Sequence, residues 1–152
     1  MRGLTSRSER PNMNVFIVED SKLIRGHLEA MLSEIPGVAV AGHAVDESGA
    51  IERIKALLPN VVILDIRLQT GSGFDVLKYV KEHHAAIKVM VLTNHTDEYY
   101  VTRCMNAGAD YFFDKSYQFM LVRAALWQLM NAGESGGLGG LGGNFGTMMP
   151  GG

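Results

Sequence analysis

Three carboxylates, a hydroxyl and an ammonium stand at the ends of apolar runs in this chain. Asn14-Val15-Phe16-Ile17-Val18 ends in Glu19-Asp20, and Val61-Val62-Ile63-Leu64 ends in Asp65. Ile87-Lys88-Val89-Met90-Val91-Leu92 ends in Thr93, and Tyr111-Phe112-Phe113 is followed by Asp114-Lys115. Acids brought close raise one another's pKa unless a cation neutralises them. Oxygen-only ligands suit a hard cation, and Mg2+ is the usual choice where phosphate is handled. One carboxylate can then attack phosphorus and form an aspartyl phosphate. A lysine and a hydroxyl would hold the phosphoryl oxygens.

The elements that must position these groups follow from hydrophobic spacing. Short runs rich in Val and Ile, apolar on both faces, suit strands of a buried parallel sheet. Val38-Ala39-Val40-Ala41-Gly42 and Tyr111-Phe112-Phe113 are weaker strands of the same kind. Between them lie helical patterns. Leu23, Ile24, His27, Leu28, Met31 and Leu32 recur at three-to-four spacing, with Ser21 as N-cap and Pro36-Gly37 as the stop. Ile51, Ile54, Leu57 and Leu58 make a second helix ending at Pro59. Phe74, Val76, Leu77, Val80 and Lys81 make a third after Gly73. Val101, Cys104, Met105 and Ala107 make a fourth, and Phe119, Val122, Leu126, Leu129 and Met130 a fifth. The chain therefore reads as an α/β, doubly wound (βα)5 fold with a parallel five-stranded sheet. Ligands of such sheets bind beyond the carboxyl ends of the strands. Asp65 is the expected nucleophile, because it ends the most apolar, most central strand.

Composition bounds the reading. The chain has 152 residues, with 14 Lys+Arg against 16 Asp+Glu and a net charge of -2. That balance argues against a dominant phosphate-backbone surface, so no direct nucleic-acid binding is expected. The single cysteine, Cys104, fits a reducing compartment. No apolar run approaches the roughly 20 residues of a membrane span, and the polar N-terminus carries no signal segment. A cytoplasmic protein is expected. Ten of the 18 glycines lie from Gly133 onward. The expected organisation is a flexible leader over 1–12, one domain over 13–131 and a Gly-rich flexible tail over 132–152.

The residues also carry a family resemblance. Glu19-Asp20, the Val61–Leu68 segment around Asp65, Gly73 eight residues after Asp65, Thr93 and Lys115 twenty-two residues after Thr93 resemble, in order and spacing, the receiver domain of two-component response regulators. The resemblance covers about Met13–Asn131. It implies strand order 2-1-3-4-5, for which receiver-type proteins are a standing example. It implies Asp65 as phosphoacceptor, with Thr93 and Lys115 assisting. Mg2+ would be held by Glu19, Asp20, Asp65 and the backbone carbonyl of Arg67. Thr93 and Phe112 would form the switch, and Arg67, Asn94 and His95 would modulate the phosphoryl group's lifetime. The implied partners are a sensor histidine kinase or histidine phosphotransfer protein, and a phosphorylation-dependent protein partner at the fourth helix, fifth strand and fifth helix. Tyr99, Tyr100, Arg103 and Tyr117 are candidate contacts there.

Two positions depart from the family pattern. Gln69 stands where proline is frequent, four residues after the phosphoacceptor, and Ser116 stands where proline usually follows the lysine. A stand-alone receiver is expected, because the residues after Asn131 are few and glycine-rich. The alternative is a receiver cut from a longer DNA-binding transcriptional regulator. A phosphatase or phosphomutase would need a second catalytic Asp close after the first, and position 67 is Arg67.

Overall fold

The computed structural model describes residues 13–132. The expected leader and nearly all of the expected tail lie outside the described residues. Five strands, β1 (Met13–Val18), β2 (Val38–Ala44), β3 (Val61–Leu64), β4 (Lys88–Thr93) and β5 (Tyr111–Asp114), alternate with five helices. The helices are α1 (Lys22–Ser33), α2 (Glu47–Leu57), α3 (Gly73–His83), α4 (Glu98–Asn106) and α5 (Leu121–Ala132). All strand pairs are parallel and the order is 2-1-3-4-5. This is the expected doubly wound fold.

The period of two along each strand divides the core into two layers. Val15, Ile17, Val61, Ile63, Met90, Leu92 and Phe113 face Leu28, Met31 and Leu32 of α1 and Val122, Ala125 and Leu126 of α5. Phe16, Val18, Val62, Leu64, Val89, Val91 and Phe112 face Ala50 and Ile54 of α2, Val76, Leu77 and Val80 of α3, and Val101 and Cys104 of α4. β3 is buried along its whole length, as a central parallel strand must be. Cys104 belongs to this packing: burial pushes its thiol up to about 11, so it remains a protonated, inert core group.

Helix starts are set by polar caps. Ser21 accepts from Ile24 N at 3.2 Å, Asp46 from Gly49 N at 2.8 Å and Ser72 from Phe74 N at 3.1 Å. The second helix differs from its apolar reading. It starts a turn earlier, at Glu47 behind the Asp46 cap, and its buried face is Ala50 and Ile54. Leu57 and Leu58 are exposed, at 45% and 57%. Leu58 closes the helix in the left-handed region (φ 47°, ψ 61°) with its N–H on Ile54 O, ahead of Pro59. Among the described residues no helix is long and apolar enough to cross a membrane.

Candidate functional site

Sheet register brings the strand ends together. Val18 pairs with Leu64, Leu64 with Val91 and Val91 with Phe112, so Glu19, Asp65 and Thr93 leave the sheet at one edge. Backbone bonds extend the ladder past the strands: Glu19 N donates to Ala44 O at 3.0 Å and Asp65 N to Val18 O at 3.1 Å. Lys115 N donates to Thr93 O at 2.9 Å, which returns the chain after β5 to the same edge. No described residue has a cis peptide bond, and Lys115, followed by Ser116, still reaches Asp65.

Lys115 is the hub of the site. Its Nζ lies 2.7 Å from Asp65 Oδ2 and 3.0 Å from Glu19 Oε1, with all three side chains at most 10% exposed. Burial works against the ammonium, but the hydrogen bonds and charges of Asp65 and Glu19 outweigh it and raise the Lys115 pKa. Burial is also the largest influence on Glu19 and raises its carboxyl above the ordinary range, although Lys115 and the Ser21 N–H pull it back. Glu19 is fixed on both oxygens, since Ser21 N donates to Oε2 at 3.0 Å. The Arg25 guanidinium donates to the Glu19 backbone carbonyl at 2.9 Å.

The other expected groups sit around this triad without joining it. Asp20 is half-buried, and its Oδ2 accepts from Gln69 N at 2.7 Å. Thr93 is fully buried, and its Oγ1 accepts from His95 N at 3.2 Å, which leaves the hydroxyl proton for another acceptor. No hydrogen bond joins Thr93 to Asp65 among the described residues. Phe112 is 2% exposed and packs inside the layer that contains Val101 and Cys104. Arg67 is exposed, and its N–H makes a long 3.4 Å contact with Asp65 Oδ1. Asn94 Oδ1 accepts from Ser116 Oγ at 3.1 Å, and the His95 ring meets Tyr100 edge-on at 5.8 Å.

The oxygens fit a hard cation better than a closed metal cage. Among the described residues no three His, Cys, Asp or Glu side chains converge as a ready metal cluster. Asp20 and Asp65 each keep an oxygen free of close protein contacts, since Asp20 Oδ1 is unbonded and Asp65 Oδ1 has only the long Arg67 contact. Glu19, expected as a further ligand, has both oxygens engaged by Lys115 Nζ and Ser21 N. The remaining two carboxylates and the Arg67 carbonyl suit Mg2+, which keeps several waters and takes few protein ligands.

The loop between β3 and α3 holds the site from below. Gly73 N donates to Ile66 O at 2.7 Å, and Arg67 and Ser72 form a bridge across the loop. Glu47, at the start of α2, accepts from Ser72 N at 3.0 Å and donates its own N–H to Thr70 O at 3.3 Å. Neither Glu47 nor the Gln69 N–H stands out in the sequence, because both act through bonds between segments distant in the chain.

The model of the response regulator receiver domain matches residues 15–126, and the chain belongs to that family. It is a receiver domain of the two-component system, a signalling phosphoacceptor rather than a classical enzyme. The chain is 28% identical over 103 residues to response regulator GacA of Pseudomonas viridiflava, covering 68% of this chain and 48% of that one. It is 29% identical over 113 residues to the DNA-binding transcriptional activator DevR/DosR of Mycobacterium tuberculosis, covering 74% and 52%. It thus spans about half the length of these relatives, and only their receiver region matches. The receiver domain of the response regulator NarL from M. tuberculosis superposes with a TM-score of 0.73 at 27% identity, over 80% of this chain and 98% of that one.

Proposed function

We propose that Asp65 receives a phosphoryl group from a phosphohistidine donor and that the aspartyl phosphate changes which partner the domain binds. The observation that carries this reading is the Lys115 ammonium, held 2.7 Å from Asp65 Oδ2 at the carboxyl edge of a parallel sheet. Asp65 attacks phosphorus through a carboxylate oxygen, and the P–N bond of the donor breaks as the O–P bond forms. The imidazole leaves with that electron pair. Mg2+, held by Asp20, Asp65 and the Arg67 carbonyl, would supply positive charge against the phosphoryl oxygens. Glu19 holds Lys115 beside Asp65 when no phosphoryl group is present. Once Asp65 is phosphorylated, Lys115 keeps Glu19 and gains a phosphoryl oxygen.

Thr93 supplies the switch, because its free hydroxyl proton can turn to a phosphoryl oxygen. Phe112 packs in the layer behind it, so movement of Thr93 changes the packing that Phe112 meets. Such a change biases two existing packings. The outward face of α4, β5 and α5 is suited to a protein partner: Tyr99 is 62% exposed and Tyr117 87%. Arg103 belongs to the same face, but its guanidinium is already stacked 4.0 Å above the Phe74 ring. Two-component signalling supplies the donor, a histidine kinase or phosphotransfer protein, in a cytoplasmic setting. The test is amide chemical shifts with beryllofluoride, with and without EDTA. Large changes over residues 93–120 that vanish with EDTA are expected; changes elsewhere, or changes indifferent to EDTA, refute the reading.

The phosphorylated state should be long-lived. Hydrolysis needs a water in line behind phosphorus, and the family resemblance puts Arg67 and His95 beside that approach. The Arg67 guanidinium offers only N–H donors and no acceptor for a water proton, and the His95 ring rests against Tyr100. Decay of phospho-Asp65 is expected to accelerate several-fold in Arg67→Asn or His95→Glu with Mg2+ present. Identical rates in all three proteins would show that these side chains do not control the water.

A second reading has a specific observation behind it. Relatives such as DevR/DosR are DNA-binding regulators about twice as long as the matched region. The same phosphoacceptor chemistry would then govern a longer DNA-binding regulator, with 13–131 as its receiver. The intact mass of the protein from its native source decides between that and a domain of 13–131 acting with only a short leader and tail.

A further inference from the structure

Of the three carboxylates at this edge, Asp20 alone is held by a single bond. The main-chain N–H of Gln69, 49 residues away in sequence, donates to Asp20 Oδ2 at 2.7 Å. Asp20 Oδ1 has no hydrogen bond or ion pair among the described residues. An N–H to carboxylate bond this short is charge-assisted and fixes the plane of the carboxylate. Its donor is rigid, because the loop carrying Gln69 is tied by Gly73 N to Ile66 O and by Ser72 N to Glu47.

We propose that Gln69 is a positioning residue for the cation. Its main-chain N–H pins Oδ2 of Asp20 and leaves Oδ1 as the oxygen offered to Mg2+. The side chain of Gln69 is exposed and takes no part. What matters is that position 69 is not proline, since proline has no N–H to give. Receivers with proline four residues after the phosphoacceptor lack this bond and must orient the acid by other means. Groups that orient a metal ligand through a hydrogen bond typically change metal affinity about 10- to 100-fold when lost. The inference rests on Asp20 being a cation ligand.

The experiment is a Mg2+ titration of the full chain followed by amide chemical shifts, comparing Gln69→Pro with Gln69→Ala. Alanine removes the side chain and keeps the N–H; proline removes the N–H as well. The proline variant is expected to bind Mg2+ at least about threefold more weakly than the alanine variant; a smaller difference overturns the proposal. A metal-free arm guards against misfolding of the proline variant. In Asp20→Ala the Gln69 amide resonance should move upfield and its proton should exchange faster than in wild type. An unmoved Gln69 amide overturns the proposal on its own. Wild type that shows no Mg2+ response overturns both this inference and the cation site, whereas equal binding by the two Gln69 variants overturns this inference alone.

Discussion

Asp65→Asn is expected to reduce labelling by acetyl phosphate to background while the protein stays folded. The amide oxygen of asparagine has the size and hydrogen-bonding capacity of the carboxylate oxygen it replaces, but it is not a nucleophile toward phosphorus. Lys115 can still donate to that oxygen and keeps its 3.0 Å pair with Glu19, so the ammonium is not stranded. Folding should therefore survive, and the loss should exceed the roughly 10²–10³-fold that removing one charge-stabilising donor costs. Lys115→Ala gives the comparison. It leaves the nucleophile and removes the charge that meets the phosphoryl oxygens, so labelling should fall by about 10²–10³-fold without disappearing. Intact-protein mass after acetyl phosphate, with circular dichroism on each variant, checks both. Equal labelling of Asp65→Asn and wild type would move the phosphoacceptor to another residue.

How far the site could be read from sequence depends on whether a residue acts through its place in a strand or through a partner across the chain. Glu19, Asp65 and Thr93 are legible because each follows an apolar run, and parallel strands put such positions on one edge. The sheet needs little more than this periodicity, since β3 and β4 alternate between the two core layers over nearly every residue. Helix starts are legible where the cap precedes a clear apolar stripe, as Ser21 precedes Leu28, Met31 and Leu32. They fail at α2, where the stripe is thin. Ala50 is small and Gly49 has no side chain, so the visible apolar residues, Leu57 and Leu58, point to the wrong end of the helix.

Contacts between loops are the illegible part. Asp20 has the acid's identity and position but not its orientation, which comes from a main-chain N–H that any residue except proline would supply. Glu47 lies ahead of the apolar stripe that marks the second helix in the sequence, yet it begins α2 and bonds the loop beneath Asp65 through Ser72 N. Phe112 reads as a strand residue, but the run Tyr111-Phe112-Phe113 is apolar on both faces and does not say which layer it enters. Its near-complete burial depends on Val101 and Cys104 of a helix that the sequence does not dock.

Gly73→Ala should destabilise the fold and loosen the segment that carries Asp65, against what helix propensity alone would indicate. Gly73 is the first residue of α3, where alanine is worth up to about 1 kcal/mol more than glycine in a helix. Its backbone needs no left-handed conformation; among the described residues the positive-φ glycines are Gly37, Gly71 and Gly108. The demand is one of space. A Cβ at position 73 would collide with Asp65 O and lie 3.0 Å from Ile66 Cα, and both are backbone atoms directly after β3. Neither can rotate away as a side chain would, so α3 must retreat or the Asp65–Arg67 segment must shift. Overpacking of this kind costs about 1–3 kcal/mol, and a contact with fixed backbone belongs at the upper end, which outweighs the propensity gain. A net loss of about 2 kcal/mol lowers Tm by roughly 4–10 °C in a domain of this size. The displacement acts on the peptide next to the nucleophile, so Mg2+ binding through the Arg67 carbonyl should weaken together with stability. Thermal melting and a Mg2+ titration of Gly73→Ala measure the two effects. A variant that melts at or above the wild-type temperature would show that α3 can retreat freely and that Gly73 does not set the position of Asp65.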